Sequence, residues 1–173
     1  MGFFRLHEVV SHVRVIDLQP RVRKIFRKVG KEIHTIMLID DDRSEHLLFR
    51  EVLKGVNSSI QLISAWDGEE GLELLNKLPA LPDLIFLDLN MPRICGKECL
   101  RQLREVEILN EIPVIIFTTS NLPQEISMVQ ELGASYFLTK PSLSDMEEVL
   151  SFFLSDDAAN EGGRIPSILK QLR

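Results

Sequence analysis

Acidic residues stand directly after two apolar runs of this 173-residue chain. The run at 35–39 is followed by Asp40, Asp41 and Asp42, and the run at 84–87 is followed by Asp88. Two carboxylates about 4 Å apart repel by roughly 4 kcal/mol at an effective dielectric of about 20, so a cluster of them must be protonated, held apart or bound to a cation. Oxygen ligands with positions open to water suit Mg²⁺. If the two runs are neighbouring strands, the pattern predicts a magnesium site.

Two further apolar runs end in residues that can contact a phosphate. Thr118 follows one of them, and Lys140 follows the last. A hydroxyl can bond a phosphoryl oxygen, and a lysine brings a compact positive charge to another. Together with the carboxylates, these residues indicate phosphoryl transfer to a carboxylate nucleophile, with the metal and the lysine neutralising charge.

Each of these residues also has a structural explanation. An acidic residue after a strand is often a helix N-cap, and Lys-Pro is common in loops. Four such positions at the same end of alternating strands favour one site over separate structural roles. Asp88 is the candidate nucleophile because it stands alone after the central run, whereas Asp40 and Asp41 are placed to hold the metal.

Short apolar runs alternate with segments of helical spacing between residues 34 and 154. They predict strands at 35–39, 60–65, 84–87, 113–117 and 136–139, and helices at 44–53, 69–78, from 96, at 124–132 and at 143–154. Runs that are almost wholly apolar are typical of parallel strands covered on both faces. The right-handed crossover rule then favours an α/β, doubly wound (βα)5 sandwich. Ligands bind such sheets at the carboxyl ends of the strands.

The motifs resemble the CheY-like receiver domain of bacterial two-component response regulators. They are, in order, Ile36-Met37-Leu38-Ile39-Asp40-Asp41-Asp42, Asp88-Leu89-Asn90-Met91-Pro92 through Gly96, Phe117-Thr118-Thr119-Ser120, and Lys140-Pro141. The resemblance covers residues 34–154 and implies a flavodoxin-like fold with a parallel five-stranded sheet in the order 2-1-3-4-5. It also implies a phosphoacceptor signalling protein rather than an enzyme, although such a domain catalyses its own phosphorylation and dephosphorylation.

The resemblance assigns roles to the acidic residues. It implies that Asp88 accepts a phosphoryl group from a sensor histidine kinase or a histidine phosphotransferase. Asp41 would bind Mg²⁺ directly, Asp40 mainly through water, and Asn90 through its backbone carbonyl. The Mg²⁺-dependent transfer would make the chain part of a phosphorelay.

The resemblance also implies a switch that reports the phosphoryl group. Thr118 and Lys140 would contact the phosphoryl oxygens, and Phe137 would follow the movement of Thr118. Many members of the family have tyrosine where Phe137 stands, and Tyr136 should face the opposite side of the strand. Output contacts that need a tyrosine hydroxyl are therefore in doubt, and a plain core phenylalanine is the alternative.

Charge divides the chain into three segments. Residues 1–33 contain eight basic and three acidic residues, in a chain whose net charge is −6, so they are a basic N-terminal extension. Helical spacing over 20–32 leaves two alternatives, a docking helix for an acidic partner or membrane surface and a solvated, disordered arm. Residues 34–154 are the segment that resembles a receiver domain. Residues 155–173 are a tail whose apolar part, 165–172, is either a homodimer contact or a disordered end.

Output is expected to be contact with a downstream protein, because the tail is too short for a DNA-binding domain. Two rival functions are a non-phosphorylated receiver-like scaffold and a phosphatase of the haloacid dehalogenase type. The phosphatase would need an acid where Asn90 stands and an Asp-x-Asp-x-Thr pattern in the first strand, and neither is present.

Composition limits the classes of protein and the cellular compartments to which the chain can belong. The apolar runs fall far short of the roughly 20 residues of a membrane span. The net charge of −6 gives no argument for nucleic-acid binding. Two cysteines, Cys95 and Cys99, exclude a disulfide scaffold, lack partners for a metal site, and favour the reducing cytoplasm. His46 is expected to be exposed or to cap a helix.

Overall fold

A single six-stranded sheet runs through the residues that the computed structural model describes, 15–17 and 33–154. In chain order its strands are β1 (Val15–Asp17), β2 (Thr35–Ile39), β3 (Gln61–Ala65), β4 (Leu84–Leu87), β5 (Val114–Thr118) and β6 (Tyr136–Thr139). Strands β2 to β6 are parallel and lie in the order β3-β2-β4-β5-β6. Numbered among themselves, these five strands have the order 2-1-3-4-5, which confirms the predicted doubly wound α/β fold.

Helices cover both faces of the sheet. Within the same residues they are α1 (Arg43–Val56), α2 (Gly68–Lys77), α3 (Gly96–Glu105), α4 (Glu107–Asn110), α5 (Pro123–Glu131) and α6 (Leu143–Leu154). Buried residues of α1 and α6 pack on one face, and those of α2, α3 and α5 pack on the other. None of the described helices is both long and apolar enough to cross a bilayer.

The central strands are buried on both sides, which is why their sequences are apolar runs rather than alternating patterns. Every residue of β4 and β5 is buried. Neighbouring residues of one strand enter opposite layers of the core, so Tyr136 packs in one layer and Phe137 in the other. The predicted opposition of these two aromatic residues is confirmed.

Two aspartates mark where helices start at the edges of the sheet, and a glycine marks where one ends. Asp42 caps α1 by accepting a hydrogen bond from the Ser44 N–H at 2.7 Å, and Asp67 caps α2 in the same way. Gly133, just beyond α5, has φ +89°, the left-handed conformation predicted for it. The two aspartate caps hold loops at the carboxyl ends of the strands, whereas Gly133 turns the chain from α5 toward the start of β6.

Two elements of the fold were not predicted. Strand β1 pairs antiparallel with β6 and extends the sheet beyond the five parallel strands. Helix α4 is a single turn between α3 and β5. The helix considered for 20–32 and the apolar tail at 165–172 lie outside the described residues, so the three-segment division remains a prediction.

Candidate functional site

Three carboxylates meet at the carboxyl edge of the sheet. Strands β2 and β4 are neighbours with Ile39 opposite Leu87, so the residues that follow them, Asp40 and Asp88, emerge side by side. Oxygen atoms of Asp40, Asp41 and Asp88 all lie within 4.8 Å of one another. Asp40 and Asp88 are buried, and Asp41 is exposed. The structure thus brings together the acidic cluster that the sequence predicts.

Lys140 provides the positive charge of the site. It follows β6, its backbone N–H donates to the Thr118 carbonyl, and its Nζ lies 2.7 Å from Asp40 Oδ2. The contact is an ion pair between a mostly buried lysine and a fully buried carboxylate. The Lys140 Nζ also lies 5.5 Å from the centre of the Phe117 ring.

Burial and neighbouring charges shift the two groups that would meet a phosphoryl group. Burial raises the pKa of Asp88; Lys140 and the backbone N–H groups of Leu89 and Asn90 lower it, while Asp40 raises it further. Burial on its own would lower the pKa of Lys140, but Asp40 and Asp88 outweigh it and raise that pKa. The lysine is therefore held in its charged form, and the ionised Asp88 is held at a cost in free energy.

A hydrogen bond between Thr118 and Asn90 connects the carboxyl ends of β4 and β5. Thr118 is fully buried, and its Oγ1 accepts from Asn90 Nδ2 at 3.4 Å and from the Ser120 N–H at 3.3 Å. The Asn90 N–H donates to Asp88 Oδ2 at 3.2 Å. Asn90 therefore links the candidate phosphoacceptor to the candidate switch residue.

Phe137 lies inside the core behind the site. Its side chain is fully buried, and in the β5–β6 register it stands opposite Ile116, two residues before Thr118. Movement of Thr118 would open or close space along the same pair of strands. Phe137 has no hydroxyl, so its side chain contributes packing and no hydrogen bond.

The donor set fits a divalent cation. All three carboxylates supply oxygen, and their ligand atoms lie within 4.8 Å of one another. A single lysine cannot balance three carboxylates, so a bound cation would lower their mutual repulsion. Asp40, Asp41 and Asp88 are the residues that would hold it.

The expectation for His46 is wrong. The side chain is only 2% exposed, and its Nε2 lies 2.8 Å from the Asp40 carbonyl oxygen. His46, Phe49 and Leu53 are the buried residues of α1, and they are three and four positions apart. That helical spacing was the signal in the sequence that could have placed His46 on the inner face.

The comparisons with known proteins identify the family. The family model described as the response regulator receiver domain matches residues 36–151. The chain belongs to this family. It is therefore a receiver domain of the kind that works in two-component phosphorelay signalling.

Relatives with known names share this receiver domain. Response regulator Rcp1 of Synechocystis is 33% identical over 110 residues, which are 61% of this chain and 75% of Rcp1. The nitrate/nitrite response regulator NarL of Escherichia coli is 38% identical over 137 residues, which are 76% of this chain and 58% of NarL. This receiver thus aligns with only part of NarL.

Two solved structures have the same fold. The phosphorylated cyanobacterial phytochrome response regulator RcpA matches with a TM-score of 0.67 and 25% identity, over 79% of this chain and all of that one. The Mn²⁺-bound form of Rcp1 matches with a TM-score of 0.65 and 28% identity, over 78% of this chain and 99% of that one. The acidic pocket of this receiver is thus of the kind at which receiver domains bind divalent cations.

Proposed function

We propose that this receiver accepts a phosphoryl group on Asp88 from a phosphohistidine of a sensor histidine kinase or histidine phosphotransferase. The observation that carries the proposal is the approach of three carboxylates to within 4.8 Å of one another beside Lys140. A core position would not gather like charges in this way, because their repulsion is costly without a cation.

The residues of the chain divide the work of the transfer. An Asp88 carboxylate oxygen attacks phosphorus, an O–P bond forms, and the N–P bond of the donor breaks with its electron pair going to the imidazole. The Lys140 ammonium holds a phosphoryl oxygen by its charge. Bound Mg²⁺ would supply further charge neutralisation next to the Asp88 carboxylate, which would be one of its oxygen ligands. It would be held by Asp41 directly, by Asp40 mainly through water, and by the Asn90 backbone carbonyl.

Thr118 and Phe137 form the proposed switch. A phosphoryl group on Asp88 adds strong acceptor oxygens to which the Thr118 hydroxyl can donate its proton, while its oxygen accepts from Asn90. Thr118 moves toward the new acceptor, Phe137 repacks behind it, and the surface over 124–154 changes its affinity for a downstream protein. A coupling of about 1–3 kcal/mol would be typical.

The setting follows from this chemistry. Phosphohistidine donors, together with the free thiols of Cys95 and Cys99, favour a cytoplasmic location. The downstream event is contact with another protein, a second copy of this chain being one candidate, rather than turnover of a substrate. Within the described residues there is no DNA-binding module beside the receiver.

Intact-mass measurement with acetyl phosphate and Mg²⁺ tests the proposal. We expect a gain of one phosphoryl group in the wild type, none in Asp88→Asn, and none when EDTA removes the metal. No gain in the wild type would favour the unphosphorylated scaffold. Steady release of phosphate from a monoester, lost in Asp88→Asn, would instead favour the phosphatase.

A further inference from the structure

His46 is buried beside the acidic cluster, and the function proposed above gives it no role. Its Nε2 lies 2.8 Å from the Asp40 carbonyl oxygen, and since a carbonyl can only accept, Nε2 carries the proton and donates. The other ring nitrogen, Nδ1, has no hydrogen-bond partner within the described residues. Among the residues that the structure describes, Asp40 is thus the one hydrogen-bond partner of the imidazole.

Trp66 holds the imidazole from the side. The two ring centres are 4.1 Å apart, and the Arg43 guanidinium lies 5.8 Å from the centre of the Trp66 ring. The backbone N–H of Trp66 donates to Glu70 Oε2 at 2.8 Å, so the tryptophan is itself anchored to the first turn of α2. The imidazole therefore has little freedom to leave the Asp40 carbonyl.

Three hydrogen bonds hold Asp40, two through its backbone and one through its side chain. Its N–H donates to the Ala65 carbonyl at 3.1 Å, its Oδ1 accepts from the Asp42 N–H at 2.9 Å, and its carbonyl accepts from His46. That carbonyl belongs to the peptide that joins Asp40 to Asp41. The hydrogen bond from His46 therefore sets the plane of the peptide from which Asp41 projects.

Asp41 depends on this backbone for its position. It is exposed, and no hydrogen bond within the described part of the chain holds its carboxylate. Its carboxylate nevertheless approaches those of Asp40 and Asp88. A ligand without its own side-chain support is aimed by the peptide before it.

We infer that His46 is a positioning residue for the divalent-cation site, acting through the Asp40 carbonyl to aim Asp41 at the other two carboxylates. The inference rests on the proposed function in taking Asp41 as a metal ligand. Loss of groups that orient metal ligands typically weakens metal binding by about 10- to 100-fold. His46 contacts the site through the backbone carbonyl of Asp40 and not as a ligand, so its loss is expected at the lower end of that range.

Mn²⁺ affinity of the full chain, measured by electron paramagnetic resonance of the free ion, tests the inference. We expect His46→Leu to weaken Mn²⁺ binding about tenfold. His46→Gln retains an N–H donor at the position of Nε2 and should recover most of the affinity. Phe49→Leu changes a buried residue one turn further along α1, so it should lower Tm and leave Mn²⁺ affinity unchanged.

Each result decides between positioning and packing. Tenfold weakening in His46→Leu, with recovery in His46→Gln and no effect in Phe49→Leu, supports the inference. Unchanged affinity in His46→Leu, or equal weakening in all three variants, overturns it and leaves His46 a packing residue. A wild type that does not bind Mn²⁺ would instead remove the metal site on which the proposed function itself depends.

Discussion

At the scale of single residues, the backbone around Asp88 depends on the absence of a side chain at Gly96. Gly96 begins α3 directly against the segment that follows β4. A Cβ atom at Gly96 would overlap the Asp88 carbonyl oxygen and lie 2.8 Å from the Leu89 Cα. Glycine is required here for space rather than for a left-handed conformation. The loop after β4 can therefore close tightly behind Asp88 only without a side chain at 96.

Gly96→Ala is expected to lower the stability of the protein by about 2 kcal/mol and to reduce phosphorylation by acetyl phosphate, because the loop must shift away from Asp88. Gly55→Ala is the matched control. Gly55 lies in α1 with nothing within 4 Å of an added Cβ, so alanine should leave stability unchanged or raise it by up to about 1 kcal/mol. Urea unfolding measures the stability of both variants, and intact mass after incubation with acetyl phosphate measures the phosphorylation of Gly96→Ala. Equal stability of Gly96→Ala and wild type would contradict the close contact.

The two thiols should differ in reactivity. Cys95 is exposed, whereas Cys99 is buried, and burial raises the pKa of the Cys99 thiol to about 12. Since the thiolate is the reactive form, we expect one rapid equivalent of reaction with a disulfide reagent at pH 8 in the folded protein and two after unfolding. Cys95→Ser should lose the rapid phase and Cys99→Ser should keep it. Rapid reaction of Cys99 in the folded protein would disprove this assignment.

Between elements, one arginine joins the ends of two helices to a third. Arg104 of α3 donates from Nε to the Gly133 carbonyl at 3.1 Å and from Nη1 to the Asn110 carbonyl at 3.2 Å. These carbonyls stand at or just beyond the ends of α4 and α5, where the backbone lacks partners within its own helix. The guanidinium therefore fixes how α5, which leads from the loop after Thr118, sits against α3.

Replacing Arg104 by methionine should leave these carbonyls unpaired and lower stability by about 2 kcal/mol. Arg101→Met is the control on the same helix. Arg101 is exposed and forms ion pairs only with Glu98 and Glu105 within the described residues, so its loss should change stability little. Thermal unfolding of both variants checks the comparison. Similar Tm losses in the two would show that Arg104 contributes only through its charge.

Strands and helices that follow from the local pattern of apolar residues could be predicted from the sequence. Those that form only through contact with a distant part of the chain could not. The apolar runs of β4 and β5 predicted strands because both of their faces are buried. Strand β1, by contrast, is three residues long and forms only because β6, far away in the chain, offers an open edge. Residues of the acidic cluster were predictable from the strands they follow, whereas the contact of His46 with Asp40 depends on where its ring turns inside the fold.

At the scale of the whole molecule, the site holds negative charge that folding must keep together. Asp40 and Asp88 are buried, and together with Asp41 they outnumber the nearby Lys140. Burial raises the pKa of Asp88; Lys140 lowers it and Asp40 raises it, so without a cation the ionised carboxylate opposes folding. The arrangement proposed to bind a cation and a phosphoryl group therefore lowers the stability of the folded protein.

Asp88→Asn should therefore raise stability in EDTA at pH 7 by about 1 kcal/mol, a rise in Tm of roughly 4 °C. The raised pKa fixes the sign of the pH dependence. The wild type keeps its full stability below the carboxyl's usual pKa, where Asp88 is protonated, and loses stability as the pH rises through the folded-state pKa. The extra stability of Asp88→Asn relative to wild type should then shrink as the pH is lowered.

Mg²⁺ should reverse the order of the two proteins, because a ligand that binds only the folded state stabilises it, by about 2.7 kcal/mol at a hundred times Kd. Wild type, with three carboxylates, should gain more in Tm from Mg²⁺ than Asp88→Asn, with two. Calorimetric Tm values in EDTA and across a Mg²⁺ series measure both effects. Equal Tm of the two proteins in EDTA, together with equal Mg²⁺ gains, would mean that Asp88 is not part of a strained, cation-binding cluster.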